Sequence, residues 1–145
     1  MAHLIALMVL LLQLESGGDN LAVGDGGRSH GCLQISAAVV QDVNDHYNTK
    51  YDRQDAYNRQ RSQEICGLYL LRWGRQYERE TGMKASPEVL ARIWVGGPDG
   101  WREDCTDPYW VRLKDLVTTI KLQRKINEMR KELLAWDKSN EQLRL

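Results

Sequence analysis

The sequence predicts a mainly α single domain with a minimal β-hairpin, followed by a C-terminal helix. Three observations predict this class. Residues 3–15 are good helix formers and apolar nearly all round, which is typical of a helix at the centre of a domain. The glycine-rich segment 24–27 favours a tight hairpin or a bulge. From residue 122 onward, apolar residues recur at alternating spacings of four and three, as in a heptad helix. We place the domain at residues 1–116 and the amphipathic helix at residues 117–145.

The first half of the chain is expected to hold two helices separated by turns. Gly17-Gly18 ends the first helix. Ser36 is placed to cap a second helix that runs to about Tyr47. A polar loop is expected from Asn48 to Asn58.

The second half carries three more helices. Residues 59–80 predict a long helix that ends at Gly82, with Ile65, Leu68, Tyr69, Leu71 and Trp73 on or near its apolar face. Ser86-Pro87 combines a capping side chain with proline at the first helical position, and this helix is expected to reach about Val95. Asp107-Pro108 repeats the start signal and begins the last helix.

The end of the last helix has two interpretations. Its apolar seam either docks on the domain or forms a short coiled coil with Asn140 in a core position. The second interpretation predicts self-association through residues 122–143. The seam consists of Leu122, Ile126, Met129, Leu133, Trp136, Asn140 and Leu143.

Charge and hydropathy exclude several classes of partner. Lysine plus arginine and aspartate plus glutamate balance at 20 each, so no overall field points to nucleic acid or to a membrane surface. The apolar segment 4–12 is too short to span a bilayer, which takes ~20 residues. It also lacks the positively charged start and the small-residue cleavage site of a signal peptide. We therefore interpret it as a helix of the mature fold, with no visible export signal.

Cysteines and histidines do not indicate a metal site. His3, His30 and His46 lack ligand spacing, and no CxxC pair is present. We expect neither a metal nor another cofactor. The three cysteines, Cys32, Cys66 and Cys105, are compatible with one disulfide and one thiol or with three reduced thiols.

Glu15 is the candidate catalytic residue. It follows a strongly apolar helical segment and precedes a polar, glycine-rich turn. Burial and the negative end of the helix dipole both favour its protonated form, which a general acid requires near neutral pH. Asp25 is the best candidate for a second acid by proximity, although an aspartate in such a turn is more often a turn former.

Two motifs resemble a known family. The run Glu15-Ser16-Gly17-Gly18, continued through Gly31-Cys32-Leu33-Gln34-Ile35, resembles the active-site stretch of lysozyme-like lytic transglycosylases, a family similar to goose-type lysozymes. Trp94-Val95-Gly96-Gly97-Pro98 resembles the family's later motif, an aromatic residue followed by Asn and Gly. Tyr109-Trp110 fits the aromatic position that often follows. The match covers roughly residues 3–116 and implies a lysozyme-like fold.

The resemblance implies cleavage of peptidoglycan glycan strands. Glu15 would protonate the glycosidic oxygen between N-acetylmuramic acid and N-acetylglucosamine, then act as base while the muramic acid 6-hydroxyl closes an anhydro ring. Ser16 would orient Glu15 or contact the sugar, and Gln34 would hydrogen-bond the glycan. Trp94 and Tyr109 would line the cleft.

One departure from the family pattern keeps alternatives open. Val95 stands where the family has Asn, and valine cannot hydrogen-bond an acetamido group. A lysozyme-type hydrolase, in which Asp25 positions water, and a non-catalytic glycan-binding or assembly module are the alternatives. A wall-degrading enzyme acts in the periplasm or outside the cell, or is phage-encoded.

Overall fold

The protein, described here by a computed structural model over residues 2–140, is mainly α-helical. This part of the chain contains five α-helices and a small antiparallel sheet, so the predicted mainly α class is confirmed. The helices are α1 (Ala2–Ser16), α2 (Ala37–Tyr47), α3 (Arg59–Thr81), α4 (Pro87–Gly96) and α5 (Asp107–Asn140), and the strands are β1 (Val23–Gly24), β2 (Ser29–His30) and β3 (Ile35–Ser36).

The sheet contains the predicted hairpin and one strand that was not predicted. β1 pairs with β2 in the register Val23 to His30, and a short 3-10 turn over Asp25–Gly27 joins them. β2 then pairs with β3, with Ser29 opposite Ser36. The third strand brings the chain directly into the N-terminus of α2, so the sheet and this helix form one continuous unit.

The predicted helix boundaries are confirmed by their caps. The Ser36 hydroxyl accepts a hydrogen bond from the Val39 N–H at the start of α2. The Ser86 hydroxyl accepts one from the Val89 N–H at the start of α4. Gly82 ends α3 in the left-handed conformation, with φ 72°. These signals are local, because each cap bonds to a residue within one helical turn.

α1 is buried on one side only, so the expectation that it lies at the centre of the domain is wrong. Leu7, Leu11 and Leu12 belong to the core, whereas Ile5 and Val9 are more than half exposed. α1 packs on α3 and α4, which leaves the opposite side facing solvent. Between residues 2 and 140, no helix combines the length and the apolar character that crossing a bilayer demands.

α3 is the central helix of the domain. It contacts α1, α2 and α4, and it therefore buries more than one stripe of side chains. Ile65 and Tyr69 are in the core as predicted, but Leu71 is exposed, and Cys66 and Leu70 are buried instead.

The predicted loop at residues 48–58 contains a 3-10 helix, Arg53–Tyr57, which is a correction to the sequence analysis. Asp52 and Asp55 form a capping box: the Asp52 carboxylate accepts from the Asp55 N–H, and the Asp55 carboxylate accepts from the Asp52 N–H. This helix places the Ala56 carbonyl against Gly31, at the turn before β3.

The chain divides into two compact units between Leu113 and Lys114. In the second unit the predicted seam is exposed. The exposed fractions are 58% for Leu122, 42% for Ile126 and 65% for Leu133. Leu143 and the side chain of Asn140, also assigned to the seam, lie outside the described part of the chain.

Candidate active site

Glu15 lies in the last turn of α1, where the chain leaves the core. The Gly17 and Gly18 N–H groups donate to the carbonyls of Gln13 and Leu12, at 3.0 and 3.3 Å. Both glycines have positive φ, so the backbone turns away immediately after the carboxylate. Glu15 is consequently half-buried at the end of an apolar helix.

Two aromatic side chains from distant parts of the chain hold the Glu15 carboxylate. The Tyr109 hydroxyl, near the start of α5, donates to Glu15 Oε1 at 2.5 Å. Trp94, in the last turn of α4, forms a second side-chain hydrogen bond to Glu15. The structure thus brings together Glu15, Trp94 and Tyr109, three of the residues singled out from the sequence.

Burial raises the pKa of Glu15 above its ordinary value. The hydrogen bonds from Tyr109 and Trp94 and the positive charge of Arg112 oppose this effect without cancelling it. Burial also raises the pKa of the Tyr109 hydroxyl, and the Glu15 charge raises it further, so Tyr109 remains a donor. The site therefore favours a protonated carboxyl that retains hydrogen-bond partners for its ionised form, as general acid catalysis requires.

The ring of Tyr69 packs against the ring of Trp94 and restricts its orientation. The sequence did not indicate this contact. The two rings meet edge to face, with centroids 5.9 Å apart and an interplanar angle of 83°. Tyr69 is buried, and burial raises its pKa to about 12. Its place on the apolar face of α3 was predicted, but no local signal links position 69 to position 94.

Two cysteines are buried in the core, and one of them, Cys66, lies near the Glu15 carboxylate. Burial raises the pKa of the Cys66 thiol, and the charges of Glu15 and Cys32 add to the effect. The Cys32 thiol donates to the Ser62 hydroxyl at 3.7 Å. All three cysteines are free thiols, Cys32 and Cys66 buried and Cys105 exposed, so of the two alternatives the structure has the reduced one.

Ser16 connects the end of α1 to the turn before β3. Its hydroxyl donates to the Cys32 carbonyl at 2.9 Å and accepts from the Gly18 N–H at 3.2 Å. Ser16 therefore positions the backbone on both sides of the site. The hydrogen-bond partners of its hydroxyl are backbone groups of the turns and do not include the Glu15 carboxylate.

Gln34 packs its side chain onto the hairpin. Its φ is 51°, and its Nε2 donates to the Gly31 carbonyl at 2.9 Å. Its Oε1 lies so near Gly24 that a Cβ there would be 2.1 Å away. The Gln34 amide is thus held by the turn and by β1.

Asp25 lies in the exposed hairpin turn. Its Oδ1 accepts from Arg28 Nη2 at 2.8 Å, and its side chain is 58% exposed. These observations describe Asp25 as a turn former with an arginine partner.

The loop between α4 and α5 positions Tyr109 and leaves Val95 in solvent. Arg92 Nε donates to the Thr106 hydroxyl at 2.8 Å, and Arg92 Nη1 pairs with the Asp107 carboxylate at 3.0 Å. These contacts hold the start of α5 against α4. Val95 is 46% exposed at the end of α4, directly after Trp94.

A separate cavity of about 640 Å³ lies outside this site. It is bounded by the hairpin, by α2 and by the 3-10 helix Arg53–Tyr57. His30, Ile35, Val40 and Ala56 are among its lining residues. Neither Glu15 nor Tyr109 lines this cavity, so the cavity is not part of the site around the Glu15 carboxylate. Over residues 2–140, no group of three or more histidine, cysteine or acidic side chains is placed to hold a metal ion.

Comparison with protein-family models, with curated proteins and with solved structures gave no significant match for this chain. The case for a function therefore depends on the geometry around Glu15 and on the two sequence motifs.

We expect the Tyr109→Phe substitution to raise the pKa of Glu15 further. The Tyr109 hydroxyl stabilises the ionised carboxylate, so its removal favours the protonated form. The measurement is a pH titration of the Glu15 carboxyl carbon by NMR. Tyr57→Phe is the matched control, because the Tyr57 hydroxyl bonds His30 Nδ1 at 2.9 Å. An unchanged or lower Glu15 pKa in Tyr109→Phe contradicts the assigned contact.

Proposed function

We propose that this chain is a lysozyme-like lytic transglycosylase that cleaves peptidoglycan glycan strands. The observation that carries the proposal is the half-buried Glu15 carboxyl with its raised pKa, held by Tyr109 and Trp94. The motif resemblance supports the same substrate. Action on the cell wall from the periplasm, from outside the cell or during phage lysis is part of this proposal.

The chemistry needs one carboxyl group that acts twice. Protonated Glu15 donates its proton to the glycosidic oxygen between N-acetylmuramic acid and N-acetylglucosamine, and the bond from this oxygen to the muramic acid anomeric carbon breaks. The Glu15 carboxylate then takes the proton of the muramic acid 6-hydroxyl, whose oxygen bonds to the anomeric carbon and closes the anhydro ring. Glu15 ends protonated, and no water is consumed.

The environment of Glu15 suits both steps. Burial favours the acid form before cleavage, while the Tyr109 and Trp94 hydrogen bonds and the Arg112 charge stabilise the carboxylate formed by the first proton transfer. Hydrolysis in most glycosidases needs a second carboxylate, and Asp25 is engaged with Arg28 in the hairpin turn. This favours the single-carboxylate mechanism over the hydrolase alternative.

The remaining site residues take supporting roles in the proposal. Gln34, held over the hairpin by its own side-chain bond, is the glycan hydrogen-bonding group. Trp94 and Tyr109 line the cleft while they hold Glu15. Ser16 acts by positioning the backbone rather than by touching the sugar, since its hydroxyl is bonded to the Cys32 carbonyl.

Val95 is the observation that favours a second candidate, a non-catalytic glycan-binding or assembly module. Its exposed isopropyl group offers no hydrogen bond to an acetamido group. Digestion of purified cell walls with product masses decides between the candidates. Anhydro-muramic ends support the transglycosylase, reducing ends support the hydrolase, and binding without turnover supports the module.

We expect Val95→Asn to increase kcat/KM on glycan strands by about 5- to 150-fold, because one recovered hydrogen bond is worth about 1–3 kcal/mol. The position is exposed, so the free energy of unfolding should change by less than ~0.5 kcal/mol. Val111→Asn is the matched control, because Val111 is 47% exposed against 46% for Val95. Equal effects of the two substitutions would show that position 95 does not face the substrate.

A further inference from the structure

The second unit of the chain carries a row of large apolar side chains on one side of α5. Leu122, Ile126, Met129 and Leu133 are the first four residues of the seam. Their exposed fractions lie between 42% and 65%. They recur at spacings of four, three and four, so they form a continuous stripe on a helix. Such a stripe is the usual mark of a helix that pairs with another helix.

We propose that a second copy of this chain covers the seam, and that the two α5 helices pair antiparallel. The proposal is independent of the cleavage chemistry at Glu15. A symmetric pair requires a self-complementary surface, and these four residues provide one because their spacing of four, three and four is the same read in either direction. The orientation follows from the charged residues beside the seam.

A parallel pair places like charges against each other. In the heptad, Ile126 and Leu133 take the a positions, and Leu122 and Met129 take the d positions. Lys125 then takes a g position and Arg130 an e position, and g contacts the following e of a parallel partner. Lys125 would face Arg130 of the second copy, and symmetry repeats this repulsive contact.

An antiparallel pair removes the repulsion and adds attraction. Here a positions face d positions, with Leu122 opposite Leu133 of the second copy and Ile126 opposite Met129. In this register g faces g, and Lys125 lies opposite Glu132 of the second copy, twice by symmetry. Lys125 and Glu132 are both exposed. Neither forms an ion pair within the described part of the chain. Both side chains are therefore available for an intermolecular contact.

Sedimentation velocity over a concentration series of the full chain tests the association. We expect a monomer–dimer equilibrium that Leu133→Glu weakens on the order of 100-fold, because it places a charge in the apolar interface. Leu134→Glu is the matched control. Leu134 is similarly exposed, at 56% against 65% for Leu133, but lies off the seam, so its variant keeps the dimer. A monomer at every concentration, a higher oligomer, or equal effects of the two variants overturns the proposal.

Charge reversal tests the orientation. Lys125→Glu should weaken the antiparallel dimer on the order of tenfold, because two attractive contacts become repulsive. Glu132→Lys should do the same, and the double reversal Lys125→Glu with Glu132→Lys should restore the parent affinity. In a parallel dimer Lys125→Glu would instead face Arg130 of the second copy and tighten the association. A tighter Lys125→Glu dimer therefore overturns the antiparallel assignment.

Discussion

Glu15→Gln is expected to abolish detectable release of soluble muropeptides from purified cell walls. The expected loss of rate is about 10²–10⁴-fold, the typical contribution of general acid–base catalysis. Glutamine has nearly the same shape and can still accept the Tyr109 hydrogen bond through its amide oxygen. It carries no acidic proton for the glycosidic oxygen and no carboxylate to act as base. Mass spectrometry of the released fragments measures the loss, and retained turnover would exclude Glu15 as the acid.

The pH dependence of stability shows whether the variant still folds and whether Glu15 is tuned as described. Burial raises the pKa of Glu15 in the folded protein above the ordinary value of 4.5. The folded parent therefore loses stability as the pH rises from that ordinary value through the raised pKa, because ionisation in the folded state is opposed. Glutamine does not titrate, so the free energy of unfolding of Glu15→Gln does not share this loss. The difference in unfolding free energy, variant minus parent, should therefore increase over the same pH range. A pH-independent difference would contradict the raised pKa.

Gly31→Ala is expected to destabilise the fold by about 2–5 kcal/mol, a large part of the stability of a small domain. Gly31 has φ 73°, and a Cβ there would lie 1.7 Å from the Ala56 carbonyl oxygen. Left-handed backbone costs an alanine about 1–2 kcal/mol, and overpacking adds about 1–3 kcal/mol. The Ala56 oxygen belongs to the backbone, so no side-chain rotation relieves the clash. Chemical denaturation measures the loss.

Gly26→Ala separates the two contributions. Gly26 has φ 64°, but a Cβ there meets nothing within 4 Å. Its substitution should cost about 1–2 kcal/mol, from the backbone conformation alone. If both variants lose the same stability, the close approach between Gly31 and Ala56 does not constrain the fold.

Local signals in the sequence were sufficient for the helix boundaries and for the partial burial of Glu15. Ser36 and Ser86 cap helices through residues three positions away, and such contacts can be predicted from a short window. The context of Glu15 was also local, since an apolar helix before it and a glycine turn after it predict a half-buried carboxyl.

Features that depend on tertiary contacts were predicted less well. Leu71 was placed on or near a single apolar face of α3, whereas α3 contacts three helices and leaves Leu71 exposed. The support of Trp94 by Tyr69 joins residues 25 positions apart. The 3-10 helix Arg53–Tyr57 lies in a polar segment with no apolar periodicity, and its capping box is the one local signal that could have revealed it.

The hydrogen bond between Tyr109 and Glu15 has a consequence for the order in which the site around Glu15 is assembled. The two residues are 94 positions apart, so one of the groups that holds the carboxyl is added long after α1 has been synthesised. Closing such a distant contact is a slow and entropically costly step of folding. During N-to-C synthesis, Glu15 stays without this partner until the start of α5 has left the ribosome. Assembly of the environment of Glu15 is therefore coupled to completion of the domain, and a chain cut short before Tyr109 would carry the carboxyl without the hydroxyl that lowers its pKa.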